Sequence, residues 1–326
     1  MDQIAAGLWA VRVPIPDSPL RDVFVYIFET ANGPVLVDAG WNDGTSYDTL
    51  AAALTSLGHD VGSLYGVLVT HHHRDHSGLV PRLTAGSNAY VAMHAADARI
   101  LREPAWFHRR IDTEELAADG VPVGSVEDMR RASSERFPPL ELAAPVRELE
   151  DGERADVPGW DVTAIWTPGH TPGHLCFVVH LAGRRLLLSG DHVLPRITPN
   201  VGLTSRDNAN PLRDYRASLR KVLDAAPDAE ILPAHEWRFG GLTERVLEIE
   251  AHHEARLAEL RTLLRAGPMS AWEVASTLTW KRPWSSLDAL GQLSALNEAR
   301  AHLAFLAGDG VLTATTSDPR RWVIAS

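Results

Sequence analysis

The run His71-His72-His73-Arg74-Asp75-His76 follows directly on the apolar triplet Val67-Leu68-Val69. That triplet predicts a short buried strand, with the histidines at its C-terminal end. Side chains alternate along extended chain, so His71 and His73 face one way and His72 the other. Two imidazoles on one face can bind one metal ion. Asp75 and His76, in the turn beyond, can reach a second ion nearby. Such ligands suit zinc, iron or manganese, and His72 is not counted among them. With 15 histidines in 326 residues, chance gives this register in about one such chain in several hundred. The bland alternative is a fortuitous surface cluster.

Three later segments place ligand-type residues just past other strand-like runs, where sites gather in α/β folds. Thr167-Pro168-Gly169-His170-Thr171-Pro172-Gly173-His174 sets histidines in a tight turn. Ser189-Gly190-Asp191-His192 and Pro233-Ala234-His235-Glu236 each follow a short apolar strand. Any of these histidines alone reads as structural. Their joint placement favours a metal centre.

Around these motifs the first half alternates strand and turn. Strands are expected at 7–13, 23–28 and 35–37, the last two joined as a hairpin through Asn32-Gly33, then at 67–69 and 89–93. Helices are expected at 45–57 and from Ser77 or Gly78. The stretch 95–145 is polar and helix-prone, with prolines at 104, 122, 138 and 139, and reads as an inserted helical segment. Strands return at 162–165, 175–179, 185–188 and 231–232. Helices are expected at 214–225 and 243–266, and a proline- and asparagine-rich loop at 193–211. The last 60 residues read as helix (271–278), helix (289–307) and two short strands (311–313 and 321–324). Strands alternating with helices, together with hairpins, predict an α+β fold of two sheets between helix layers.

Composition is that of a globular chain, with 45% hydrophobic and 22% charged residues. The formal net charge of −11 disfavours nucleic acid as a partner. Cys176 is the sole cysteine, so neither an internal disulfide nor a cysteine-rich zinc site is open to the chain. Its apolar neighbours make it a buried, inert thiol. With no apolar run of 18 residues and no signal-like start, the expectation is a cytoplasmic protein without a membrane partner. A homodimer is left open.

The motifs together resemble the metallo-β-lactamase superfamily over roughly residues 5–265, which implies its αββα sandwich. The resemblance assigns Asp38, in Val37-Asp38-Ala39-Gly40, to a place behind the ligands. It assigns His71, His73 and His170 to the first metal, Asp75, His76 and His235 to the second, and Asp191 to a bridge between them. His174 then has a supporting role. Histidine at position 73, rather than the glutamate of the di-iron flavoprotein branch, implies hydrolysis rather than oxygen reduction. From about 252 onward, His252-His253-Glu254-Ala255-Arg256 and Ala301-His302-Leu303-Ala304-Phe305-Leu306 resemble the small winged-helix module of the LACTB2-like branch. The expected division is therefore a catalytic domain, 1–251, with its helical insert at about 95–145, and a winged-helix-like domain, 252–326. Adjacent on one helix, His252 and His253 face different ways and are expected to pack rather than ligate.

The activity these readings imply is hydrolysis of an ester, thioester or lactone carbonyl of a small molecule by a metal-bound hydroxide. Asp75 would orient the water and carry its proton, at a centre of two divalent ions, zinc before iron or manganese. A metal-dependent endoribonuclease docking nucleic acid on the winged helix is the alternative. Glyoxalase II-like or β-lactamase activity and a non-enzymatic metal sensor stand behind it. The substrate-binding residues are not readable. Trp106-Phe107-His108 and the loop arginines Arg196, Arg206 and Arg213 are the residues expected near the mouth.

Overall fold

The computed structural model describes residues 1–102, 112–138, 140, 142, 145–203 and 209–325. Trp106, Phe107, His108 and Arg206 lie outside the described residues. The strands are β1 (Asp2–Ala5), β2 (Leu8–Pro14), β3 (Asp22–Phe28), β4 (Val35–Val37), β5 (Gly66–Leu68), β6 (Tyr90–Met93), β7 (Val146–Glu148), β8 (Asp161–Trp166), β9 (Leu175–Leu181), β10 (Arg184–Gly190), β11 (Glu230–Pro233), β12 (Leu312–Ala314) and β13 (Trp322–Ile324). The helices are α1 (Gly44–Ser56), α2 (Arg74–Ser77), α3 (Val80–Ala85), α4 (Ala95–Arg102), α5 (Thr113–Ala118), α6 (Val123–Arg136), α7 (Pro211–Ala225), α8 (Leu242–Arg265), α9 (Ala271–Thr277) and α10 (Ala289–Gly308). Among the described residues no helix is long and apolar enough to cross a membrane.

Contacts divide the chain into two units. One is Met1–Pro104, Leu140–Pro199 and Ser218–Val246; the other is Ala105–Pro139, Asn200–Ala217 and Leu247–Ser326. The described part of the expected insert is shared, with 95–102, 140, 142 and 145 in the first unit and 112–138 in the second.

The first unit carries a seven-stranded sheet in chain order β1 to β7 and a four-stranded sheet ordered β11-β10-β9-β8. Pairing is antiparallel from β1 to β4 and parallel from β4 to β7. The period of two in β3 shows why this sheet is internal. Val23, Val25 and Ile27 enter a core shared with Leu50 and Leu54 of α1, Leu83 of α3 and Leu101 of α4. Phe24, Tyr26 and Phe28 enter another, shared with Val162, Phe177, Leu188 and Leu232 of the second sheet. Each wholly buried side chain such as Phe28 or Phe177 contributes roughly 1.5–3 kcal/mol. This is the αββα arrangement.

The sheets are stitched together at one end. The Phe24 amide donates to the Ala234 carbonyl at 2.7 Å, and the Leu175 amide to the Thr70 carbonyl at 2.8 Å. The buried Tyr26 hydroxyl donates to the Pro233 carbonyl at 2.7 Å. These bonds gather the loops after β5 and β11 and the loop before β9, and the Ala234 amide, donating to the Gly190 carbonyl at 3.0 Å, adds the end of β10.

Among its described residues the second unit has helices and one strand pair, the antiparallel β12 and β13, to which Met269 adds a bridge at Trp322. Ser270 and Glu273 form a capping box that starts α9. The carboxylate of Asp119 is buried between Arg300, at 2.9 Å, and Arg320, at 2.5 Å. His302 donates from Nδ1 to the Glu298 carbonyl at 2.8 Å, leaving its Nε2 to accept from His253 Nδ1 at 3.1 Å. Burial, reinforced by His302, pushes His253 down to about 2. The two rings form a neutral packing pair, while His252 on the neighbouring face is exposed. Arg213, expected with the loop arginines, lies instead in the first turn of α7 and pairs with Asp309 at 2.5 Å.

Candidate metal centre

All seven residues expected as ligands come together in the first unit, in two groups whose ligand atoms lie within 4.8 Å of one another. One is His71, His73, His170 and Asp191. The other is Asp75, His76 and His235.

The first group is built on the end of β5. Thr70 and His71 continue the strand direction, and α2 starts after His73, which turns Asp75 and His76 under the strand end. His73 Nδ1 lies 3.0 Å from both His71 Nε2 and His170 Nε2. The Thr70 hydroxyl donates to the Asp38 carboxylate at 2.9 Å. His71 Nδ1, 3.0 Å from that hydroxyl oxygen, must then be the donor, so His71 Nε2 carries no proton. Burial, with His76, His73 and His170 nearby, pushes His71 well below the ordinary imidazole range. Three ring nitrogens converging at this distance are held together by a shared proton or by a cation among them.

Asp38 also holds the second group. It adopts a left-handed backbone (φ 64°), and its carboxylate takes the Thr70 amide at 2.8 Å and His76 Nδ1 at 2.7 Å. His235 is fixed likewise, with its Nδ1 donating to the Asp22 carbonyl at 2.8 Å. The Nε2 atoms of both rings therefore face the site. His235 Nε2 is 3.5 Å from Asp75 Oδ2 and 3.3 Å from Asp191 Oδ1. His76 Nε2 is 3.8 Å from Asp75 Oδ2 and 3.6 Å from Asp191 Oδ2. His76 Nε2, His235 Nε2 and Asp191 Oδ1 are buried without a hydrogen-bond partner. Burial works to lower both histidines, but the carboxylates around them outweigh it. Asp191 and Asp75 raise His235 to about 10. Asp38, Asp191 and Asp75 hold His76 well above the usual range. Burial works to raise the two carboxyls, and His76 and His235 outweigh it, so Asp75 and Asp191 stay ionised. Positive charge is what this group demands, whether protons on the rings or a divalent ion between ring nitrogens and carboxylates. A nitrogen and oxygen donor set with its far ring atoms already anchored fits such an ion.

Asp191 stands between the groups, since its Oδ2 is also 3.6 Å from His170 Nε2. His174 supports it from behind. The Asp191 amide donates to His174 Nε2 at 3.2 Å, and Nδ1 donates to the Thr167 hydroxyl at 2.8 Å. Gly190 (φ 50°) must be glycine here, because a Cβ would lie 2.8 Å from His174 Nε2. Cys176 is fully buried, and burial pushes its thiol up to about 12. Arg196 is held by Glu236 at 2.5 Å.

Sequence reading missed Asp97, in the first turn of α4. This fully buried carboxylate accepts from the His72 amide at 2.8 Å, His72 Nδ1 at 3.0 Å, the Thr171 hydroxyl at 2.8 Å and the Gly173 amide at 2.6 Å. Burial alone would raise it, but His72 and these bonds bring it down to about 2. His72 thus points away from both groups. The only signal was an acid in the small-residue run Ala95-Ala96-Asp97-Ala98.

Comparison with known proteins agrees with this geometry. Residues 19–235 match the family model described as the metallo-beta-lactamase superfamily. A solved metallo-beta-lactamase family protein from Thermus thermophilus is 31% identical, with a TM-score of 0.82 over 99% of this chain and 100% of that one. A probable metallo-hydrolase of Bacillus subtilis is 26% identical, covering 82% of this chain and 84% of the relative. A beta-lactamase-like protein 2 homolog of Caenorhabditis elegans is 25% identical, over 93% and 85%. A hydroxyacylglutathione hydrolase of Fuscovulum blasticum is 28% identical, over 79% and 81%. This chain belongs to the metallo-β-lactamase superfamily and is a metallo-hydrolase.

Proposed function

We propose that the chain is a binuclear hydrolase acting on the ester, thioester or lactone carbonyl of a small molecule. The observation that carries this reading is the sharing of Asp191 by two anchored groups of ligand-type side chains. His71, His73 and His170 would hold one divalent ion, Asp75, His76 and His235 the other, with Asp191 between them, and zinc suits the donor set first. Such a pair of ions supplies a water acidified toward neutrality and a Lewis acid for the carbonyl oxygen. Asp75 would be placed to accept a hydrogen bond from a water held there and to take up its proton. Asp38 and the Asp22 carbonyl keep His76 and His235 in the tautomer that turns Nε2 inward. His174 steadies the Asp191 backbone.

Similarity to a hydroxyacylglutathione hydrolase favours a thioester within this substrate class. Nucleic acid is the second reading, supported by the helix, helix and hairpin order of α9, α10, β12 and β13, which we read as a winged-helix-like module. The net charge of −11 weighs against it.

Metal analysis followed by a panel of acyl-CoA thioesters, lactones, aryl esters and single-stranded RNA tests both readings. We expect two ions per chain, turnover of an acyl substrate, and loss of one ion in His71→Ala. Asp75→Asn should lower turnover by about 10²–10⁴-fold. Fewer than one ion per chain, unchanged by His71→Ala, would sink the metal centre. RNA cleavage with steeply salt-dependent binding would replace the small-molecule reading.

A further inference from the structure

Two buried aspartates stand behind the ligand-type histidines, and they divide the work. Asp38 reaches His76 directly and His71 through Thr70. Among the described residues Asp97 makes no hydrogen bond to a ligand-type residue. Its four donors come instead from the two loops that carry the first group. The His72 amide and ring lie between His71 and His73, and Thr171 and Gly173 follow His170. The first loop leaves the seven-stranded sheet after β5, and the second joins β8 to β9 of the four-stranded sheet. Asp97 itself follows β6, so one carboxylate pins two loops from opposite sheets to a third element.

We propose that Asp97 is a positioning residue that sets the distance between His71 and His73 on one side and His170 on the other, and thereby the affinity and geometry of one metal position only. The proposal rests on the metal-centre reading above. The other position is held by Asp38 and the Asp22 carbonyl, neither of which meets Asp97. The fit admits little else. A Cβ on Gly173 would sit 2.5 Å from the Asp97 amide nitrogen and 2.7 Å from Oδ1. Asparagine has one acceptor oxygen where four donors converge, so its amide hydrogens must face an N–H or O–H.

Cobalt(II) titration of Asp97→Asn tests this, because the visible absorption of the ion reports its ligand geometry. The expected result is one ion bound as tightly as in the wild type and the other at least about tenfold weaker, with an altered absorption band and an unchanged circular dichroism spectrum. Two ions bound within twofold of wild-type affinity, with the wild-type spectrum, would overturn the proposal. Equal weakening of both ions would overturn it too, since general loosening would do that. If Asp97→Asn does not fold, Thr171→Val removes one of the four bonds and should weaken the same single ion by a smaller factor; unchanged affinities there refute the idea. A wild-type chain that binds fewer than two ions would fail the metal-centre reading itself, a different result from any of these.

Discussion

The two ligand groups lie side by side but are electrostatic opposites. The first is made chiefly of imidazoles, and His71 is driven toward neutrality by burial and its sister rings. The second interleaves imidazoles with carboxylates, so His76 and His235 are driven toward the protonated form. The first is ready for a cation at neutral pH. The second has a proton standing where the cation would go. Asp191 thus lies between two groups of side chains with opposite titration behaviour.

Removing that carboxylate is the largest way to break the contrast. Asp191→Ala strips a ligand from both groups, and we expect activity to fall roughly 10³-fold or more, with metal analysis showing both ions weakened. Loss of only one ion would mean that Asp191 belongs to one group alone.

Acidity separates the groups next. Because His235 is raised from 6.5 to about 10, its ion pairs stabilise the metal-free fold fully below pH 6.5 and are lost as pH rises through 10. The depressed carboxyls Asp75 and Asp191 stabilise it above the ordinary carboxyl value of 3.8 and lose that effect as pH falls. Between pH 6.5 and 10, metal-free protein should therefore melt at progressively lower temperature. Over the same window the affinity of the second ion should rise up to about tenfold per pH unit for each proton displaced, while the first changes less. Calorimetric titration at several pH values reads both slopes, and equal slopes would remove the distinction.

The smallest effect belongs to Cys176. Its Sγ donates weakly to the Ser189 carbonyl at 3.5 Å, just behind Asp191. Cys176→Ala should leave activity within about twofold and cost about 1 kcal/mol of stability. Alkylating reagents should not label the native chain. Rapid labelling with loss of activity would bring the thiol into the site.

The same division explains what could be read from the sequence. Residues 71–76 were legible as a cluster because a period of two along one short strand puts His71 and His73 on one face, and the turn beyond brings Asp75 and His76 beside them. The strands β3 and β9 were legible as dense apolar runs. β1 and β7 were not, because these short strands bury only Ile4 and Val146 and carry no period. The helix expected from Ser77 or Gly78 is broken into α2 and α3, and a Cβ on Gly78 would lie 2.3 Å from the Arg74 carbonyl and 2.8 Å from the Asn42 amide. A close chain crossing of that kind leaves no mark on hydropathy. Asp97 escaped for a related reason, since its partners at 72, 171 and 173 lie 25 to 76 residues away.

The bond from His235 Nδ1 to the Asp22 carbonyl spans 213 residues of chain. On a ribosome adding 5–20 residues each second, the carbonyl precedes its ring by roughly 10–40 s. A nascent chain that stops short of β11 already displays six of the seven ligand-type residues, in order from His71 to Asp191. Only the chain beyond β11 brings the final imidazole, so the second ligand group is completed late in synthesis, after its Asp22 anchor has waited through most of the catalytic chain.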